Sequence, residues 1–163
     1  MLIELGERHA RTGGCVAVEH LLTECARAAL SAVTGRARRW DGYPPVLLAC
    51  PDREQHTLPL HALGAALAEF GRPCLLLGAS VPAVELASAA RRTAPRAVFL
   101  WAQTPATARP ADLDGLPRRR PAIPVVVGGP GWRTRSLPAA VIRVDSLAAA
   151  IAAVSHPVMA PTR

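Results

Sequence analysis

Glu54 and His56 are the two residues of this chain whose types and spacing best suit chemistry. They stand two positions apart, after the apolar run at 46–50 (VLLAC) and the turn-like residues 51–53 (PDR). An imidazole can give one ring nitrogen to a metal while a nearby carboxylate accepts a hydrogen bond from the other nitrogen and orients the ring. The spacing therefore favours a metal-ligating histidine held by an acid. A solvated loop histidine is the alternative that this loop alone leaves open.

A strand before this loop and a helix after it must position the pair. Uniformly apolar runs indicate strands, and apolar residues at helical spacing indicate helices. This pattern predicts strands at 46–50, 73–77, 97–101, 123–128 and 141–144, and helices at 57–71, 82–94, about 110–117 and 146–155. Such alternation predicts an α/β fold, a five-stranded parallel doubly wound sheet that is flavodoxin-like (Rossmann-type), with strand order 2-1-3-4-5. A short helical segment precedes it, with a strong helix from Cys15 to about Thr34.

In this fold the loops after strands 1, 3 and 4 meet at one edge of the sheet, where ligands bind. The segment after strand 4 is Gly128-Gly129-Pro130-Gly131. Glycines there allow the backbone to approach a ligand closely, and a tight turn is the alternative interpretation. The segment is not a dinucleotide fingerprint, because the glycine pattern is incomplete and follows strand 4 instead of strand 1.

The His56 loop resembles the lower-ligand loop of cobalamin-binding domains, Asp/Glu-x-His-x-x-Gly, and the Gly-Gly after strand 4 resembles a second family feature. The likeness covers about residues 46–145. It implies that His56 ligates cobalt from below, and that the nucleotide tail of the cofactor is buried between the His loop and the Gly pair. The residues it implies for cobalamin binding in this domain are Glu54, Gln55, His56, Thr57, Ser80, Val81, Gln103, Gly128, Gly129, Pro130 and Gly131.

The chain departs from the family pattern at two places. Pro59 stands where the loop motif has glycine, and residues 101–103 (WAQ) replace a Ser-x-Leu that follows the third strand in the family. By resemblance, the missing serine removes a hydroxyl that supports the His–carboxylate pair or the nucleotide tail.

The N-terminal helix contains a further resemblance. Val18-Glu19-His20 is similar to the Glu-His of the helical cap in MerR-type, cobalamin-dependent, light-sensing regulators. In that family a Trp lies ten positions before the Glu, and His9 takes that place here. The resemblance implies that Glu19 and His20 cover the upper face of the corrin and that His9 is a second cobalt ligand. A half-buried histidine and a solvated acid are the alternatives on a helix of this composition.

The predicted organisation has three parts: a helical cap segment and linker at 1–40, a cobalamin-binding α/β domain at 45–156, and a tail at 157–163. The regulators of the resemblance carry a DNA-binding helix-turn-helix and a four-helix cap. Because the sequence shows no helix-turn-helix and only one or two cap helices, we expect a truncated piece or a stand-alone sensor. Such a sensor would act through a protein partner or as a homo-oligomer.

Composition excludes several other classes of protein. All 19 basic residues are Arg, so a P-loop, a Schiff-base enzyme and a receiver domain, each of which needs a Lys, are ruled out. The net charge of +7 resides largely in arginine-rich linkers, and we do not expect direct DNA binding. No apolar run is long enough to span a membrane. The start lacks a signal-peptide pattern, and the four widely spaced cysteines fit a cytoplasmic protein.

The resemblance predicts a non-enzymatic cobalamin-binding sensor or regulatory module that is transcription-related and light-responsive. Its cofactor would be adenosyl-, methyl- or hydroxocobalamin, with cobalt held by His56. A corrinoid carrier subunit of a cobalamin-dependent methyltransferase or mutase is the main alternative. A flavodoxin-like domain that has lost its site and mediates protein contacts is a third. We expect His61 on a helix surface and His156 in the tail.

Overall fold

The computed structural model describes residues 16–35, 42–116 and 123–155. Five parallel strands form one sheet in the order β2-β1-β3-β4-β5, which confirms the predicted α/β fold and strand order. The strands are β1 (Val46–Pro51), β2 (Cys74–Val81), β3 (Ala97–Trp101), β4 (Val125–Gly128) and β5 (Val141–Val144). The helices are α1 (Val16–Gly35), α2 (Leu58–Glu69), α3 (Ala83–Thr93) and α4 (Leu147–Ser155), with short 3-10 helices at Pro110–Leu113 and Pro130–Trp132.

The core has one layer on each face of the sheet, and β1 contributes side chains to both layers. Successive side chains of a strand point to opposite faces. Leu47 and Ala49 therefore pack in one layer with residues of α3, while Val46, Leu48 and Cys50 pack in the other with residues of α2 and α4. Every residue of β1 is buried, which explains why this strand has an uninterrupted apolar sequence.

Helix α1 packs chiefly against α2. A hydrogen bond of 3.2 Å joins Ser31 Oγ of α1 and His61 Nδ1 of α2. The helices approach closely at Gly64, where a Cβ would lie at ordinary contact distances of 3.6 Å from Thr34 Oγ1 and 3.4 Å from Cys74 Sγ. The expectation that His61 is a helix-surface residue is wrong: it is half-buried between two helices. No helix among the described residues is long and apolar enough to cross a bilayer.

Two predicted elements differ from those observed. The helix expected at about 110–117 is a 3-10 helix from Pro110 to Leu113 followed by a turn. Asp114 and Gly115 are poor helix formers, and the proline at 117 has no N–H to extend a helix. Strand β2 continues beyond residue 77 to Val81, with two register shifts against β1.

Candidate functional site

The candidate site lies where the chain reverses direction across the sheet. Strand β1 has β2 on one side and β3 on the other, so the carboxyl ends of β1 and β3 flank the point where ligands bind in doubly wound sheets. The loop after β1 carries Glu54 and His56. The loop after β3 carries Gln103 and Thr107. The fold thus brings together two segments that are about fifty residues apart in sequence.

The carboxylate of Glu54 is the hub that joins these loops. Its Oε1 accepts hydrogen bonds from the backbone N–H of His56 at 3.0 Å and from His56 Nδ1 at 2.5 Å. Its Oε2 accepts from the backbone N–H of Gln103 at 2.7 Å and from the Thr107 hydroxyl at 2.5 Å. The Glu54 side chain is 1% exposed, whereas that of His56 is 58% exposed. A buried carboxylate therefore holds an accessible imidazole.

The charge state of Glu54 determines which nitrogen of His56 carries the proton. Burial raises the pKa of Glu54, but the hydrogen bonds from Thr107, His56 and Gln103 together outweigh it and lower the pKa to about 2. An ionised carboxylate only accepts, so Nδ1 must donate, and in a neutral imidazole the lone pair is then on Nε2. Among the described residues, Nε2 has no hydrogen-bond partner. It is left for a ligand.

Thr107 is the site residue that the sequence analysis missed. Its hydroxyl supports the His–carboxylate pair, the role assigned by resemblance to the serine that this chain lacks. A turn in which Thr107 N–H bonds to the Thr104 carbonyl at 3.2 Å returns the chain towards Glu54. Gln103 contributes its backbone N–H. The sequence feature that could have indicated this role is a threonine in the loop after strand 3.

Ser80 supports the His56 loop from β2. Its N–H donates to the Glu54 carbonyl at 2.9 Å, and its hydroxyl accepts from the backbone N–H of Arg53 at 2.9 Å. On the other side of the loop, Arg109 forms a 3.2 Å ion pair with Asp52. Ser80 and Val81, both expected at the cofactor, do not line the cleft that contains His56.

An open cleft of about 680 Å³ separates α1 from the His56 loop. It brings together most of the predicted residues of the helical cap and the loop, because Glu19 and His20 line it opposite His56. His9, the predicted second cobalt ligand, lies outside the described residues. The other residues around this cleft are Thr23, Glu24, Arg27, Gln55, Thr57, Leu58, Pro59 and Gln103.

A second cavity, of about 210 Å³, lies between α2, the sheet and the start of α4. Pro59 lines both this cavity and the cleft, so the two spaces adjoin at the beginning of α2. Pro59 occupies the first turn of α2, where a proline is tolerated because that N–H needs no helical partner. The other lining residues are Ala62, Leu63, Phe99, Trp101, Gly128, Val144, Asp145, Ser146, Leu147 and Ala150.

The glycine segment after β4 divides between two roles. Gly128 lines the second cavity. Gly129 has a φ of +103°, and a Cβ there would lie 2.3 Å from the Ala102 carbonyl oxygen. Gly131 donates its N–H to that same oxygen at 3.0 Å. Gly129, Pro130 and Gly131 form a turn packed against the loop after β3, and they line neither space.

Known proteins that are similar in sequence to this chain are transcriptional repressors. No family model matches the chain. The chain is 36% identical over 121 residues to the HTH-type transcriptional repressor CarA of Myxococcus xanthus, a match that covers 72% of this chain and 42% of the relative. It is 34% identical over 144 residues to the HTH-type transcriptional repressor CarH of the same organism, covering 82% of this chain and 46% of the relative. The chain is thus similar over most of its sequence to part of these HTH-type transcriptional repressors, and it spans less than half the length of each.

Proposed function

We propose that this chain is a cobalamin-binding sensor module of a transcription regulator, with His56 as the lower axial ligand of cobalt. The observation that carries the proposal is the Glu54–His56 pair, whose imidazole lines the cleft below α1. The buried carboxylate fixes the ring and leaves Nε2 for a metal. The similarity to two transcriptional repressors supports the regulatory half of the proposal.

The donor set fits a cobalt that arrives within a corrin. Among residues 16–35, 42–116 and 123–155, no group of three or more His, Cys, Asp or Glu side chains could hold a bare metal ion. A corrin supplies the equatorial nitrogens of its own cobalt, so one axial imidazole is what the protein must add. The carboxylate on the far side of that imidazole holds its orientation and its tautomer.

The two adjoining spaces support an arrangement of the cofactor in two parts. We infer that the corrin occupies the cleft over His56 and that its nucleotide tail enters the second cavity past Pro59. Glu19 and His20 of α1 would then contact the upper side of the ring. Adenosyl- or methylcobalamin, when bound, would supply a cobalt–carbon bond that light can break. The role of α1 would be to shield that bond and to respond when it is lost.

A corrinoid carrier would use the same His56 loop, so cobalamin binding alone does not separate a carrier from a regulator. The regulator is favoured because both relatives are repressors and because α1 places Glu19 and His20 over the cleft. A carrier has to expose the upper face of its cofactor to a separate catalytic chain, and a helix fixed over this face by Ser31 and His61 would impede that.

The direct test is an absorption spectrum of the protein after incubation with adenosyl-, methyl- or hydroxocobalamin and removal of unbound cofactor. We expect retention of cobalamin with a spectrum in which an imidazole replaces the benzimidazole as lower ligand. His56→Ala should remove that signature. His156→Ala, which removes a histidine that the sequence assigns to the tail, is the matched control and should keep it.

Two results would contradict the proposal. Failure of the wild-type protein to retain any of the three cobalamins would remove the cofactor from the function. Retention with identical spectra in the wild type and His56→Ala would show that cobalamin binds without this histidine. Illumination before and after recording the spectrum tests the light response separately.

A further inference from the structure

The second cavity differs from the cleft in the chemistry of its walls. Its inner surface consists of apolar side chains from α2, β3, β5 and α4, together with Gly128. The polar lining residues are Asp145 and Ser146, and both are exposed, so they belong to the mouth of the cavity. The oxygen of the Ser146 hydroxyl accepts a hydrogen bond from the N–H of Ala149 at the start of α4.

Trp101 adds one buried polar atom but offers no hydrogen bond to the cavity. Its indole N–H has almost no exposed surface and no partner among the described residues. The surface that the ring presents to the cavity is therefore apolar. Trp101 stands where cobalamin-binding domains have the serine of their Ser-x-Leu. Its large flat ring makes the cavity wall more apolar than a serine would, and it is suited to stacking with an aromatic group.

We propose that this cavity selects corrinoids by the polarity of their lower nucleotide base, and that it takes an apolar base such as dimethylbenzimidazole in preference to adenine. This inference rests on the proposed function, since it assumes that the nucleotide tail enters the cavity. The two bases are bicyclic and of similar size, so the difference between them is chiefly polarity.

The physical reason is the cost of burying unpaired polar groups. Adenine brings an amino group and several ring nitrogens, and the inner wall offers them no donor or acceptor, since Asp145 and Ser146 lie at the mouth. Burying one such group without a partner weakens binding by about tenfold or more. Dimethylbenzimidazole has a benzene ring with two methyl groups in place of the aminopyrimidine ring of adenine, and this apolar ring would gain from contact with Ala62, Leu63 and Val144.

The test compares three corrinoids on the whole chain: cobalamin, its analogue with an adenine base, and cobinamide, which lacks the nucleotide. Affinities are measured by absorbance or tryptophan-fluorescence titration. We expect cobalamin to bind about tenfold or more tightly than the adenine analogue. In Val144→Thr, which adds a hydroxyl to the wall at nearly constant volume, the preference should shrink several-fold. Val141→Thr alters the same strand outside the cavity and should keep the wild-type ratio.

Each other result overturns the inference in a recognisable way. If cobalamin and the adenine analogue bind equally but more tightly than cobinamide, the tail is bound without selection. If all three bind equally, the nucleotide does not enter the protein, although cobalamin binding itself stands. If none binds, the proposed function fails together with the inference.

Discussion

A single oxygen of Glu54 accepts two hydrogen bonds from His56. Oε1 lies 2.5 Å from the ring Nδ1 and 3.0 Å from the backbone N of the same residue. Because the two residues are two positions apart, this arrangement closes the loop around the carboxylate. It also fixes the tautomer of the ring, since an ionised carboxylate requires a proton on Nδ1. A side chain that is 58% exposed is thereby held in one orientation.

Glu54→Gln should destabilise the protein and release the ring of His56. Each of the two carboxylate oxygens accepts two hydrogen bonds. An amide has one oxygen, and its NH₂ group would face N–H or O–H donors on the other side. Buried donors left unpaired cost about 1–3 kcal/mol each, and we expect a loss of stability of at least this size in urea unfolding. Glu85→Gln, an exposed glutamate at the start of α3, should be nearly neutral. Equal effects of the two substitutions would contradict the role of Glu54.

Thr107→Val should show that the hydroxyl, and not the methyl group, supports the site. Valine keeps the shape but removes the donor to Glu54 Oε2. We expect a loss of about 1–3 kcal/mol in the free energy of unfolding, typical of a hydrogen bond to a charged group, whereas Thr107→Ser should retain most of the stability. Thr93→Val is the control, since its hydroxyl bonds only to a carbonyl within α3. If Thr107→Val is as stable as wild type, the hydroxyl contributes nothing to the pair.

Gly129→Ala should be far more costly than Gly71→Ala. Both glycines have positive φ, +103° at Gly129 and +63° at Gly71, so both substitutions strain the backbone. At Gly71 no atom lies within 4 Å of the new Cβ, and the cost should be about 1–2 kcal/mol. At Gly129 the Cβ would also meet the Ala102 carbonyl oxygen at 2.3 Å. Thermal unfolding of the two variants gives the comparison, and a similar Tm for both would argue against the close approach.

His61 should make the stability of the chain depend on pH. Burial lowers the pKa of His61 below 6.5, and the positive charge of Arg27 acts in the same direction. The unfolded chain then binds more protons than the folded chain between the lowered pKa and 6.5, so stability falls as the pH drops through that window. In urea unfolding from about pH 7.5 to about pH 5.5, the wild type should lose more stability than His61→Gln. Parallel pH profiles would show that His61 is not perturbed by its contact with α1.

The sequence by itself determined the sheet and the place of the site on it. Uninterrupted apolar strands such as β1 are required when a sheet is covered on both faces, and helical spacing between them leaves few alternatives to a doubly wound order. The position of His56 after the first strand is likewise a local property. Both predictions succeed because they depend on short-range patterns. The helix predicted at about 110–117 is wrong for a local reason too. Its apolar residues favour a helix, but Gly115 and the proline at 117 end it after one short 3-10 turn.

The tertiary structure alone decided how the site is completed. The donors to Glu54 Oε2 come from Gln103 and Thr107, and their approach depends on how one turn bends after β3. The contact between His61 and Ser31 depends on how α1 lies along α2. The junction of cleft and cavity at Pro59 depends on the packing of helices on the sheet. None of these has a local signature, because each is a contact between segments whose distance is set by packing and not by spacing along the chain.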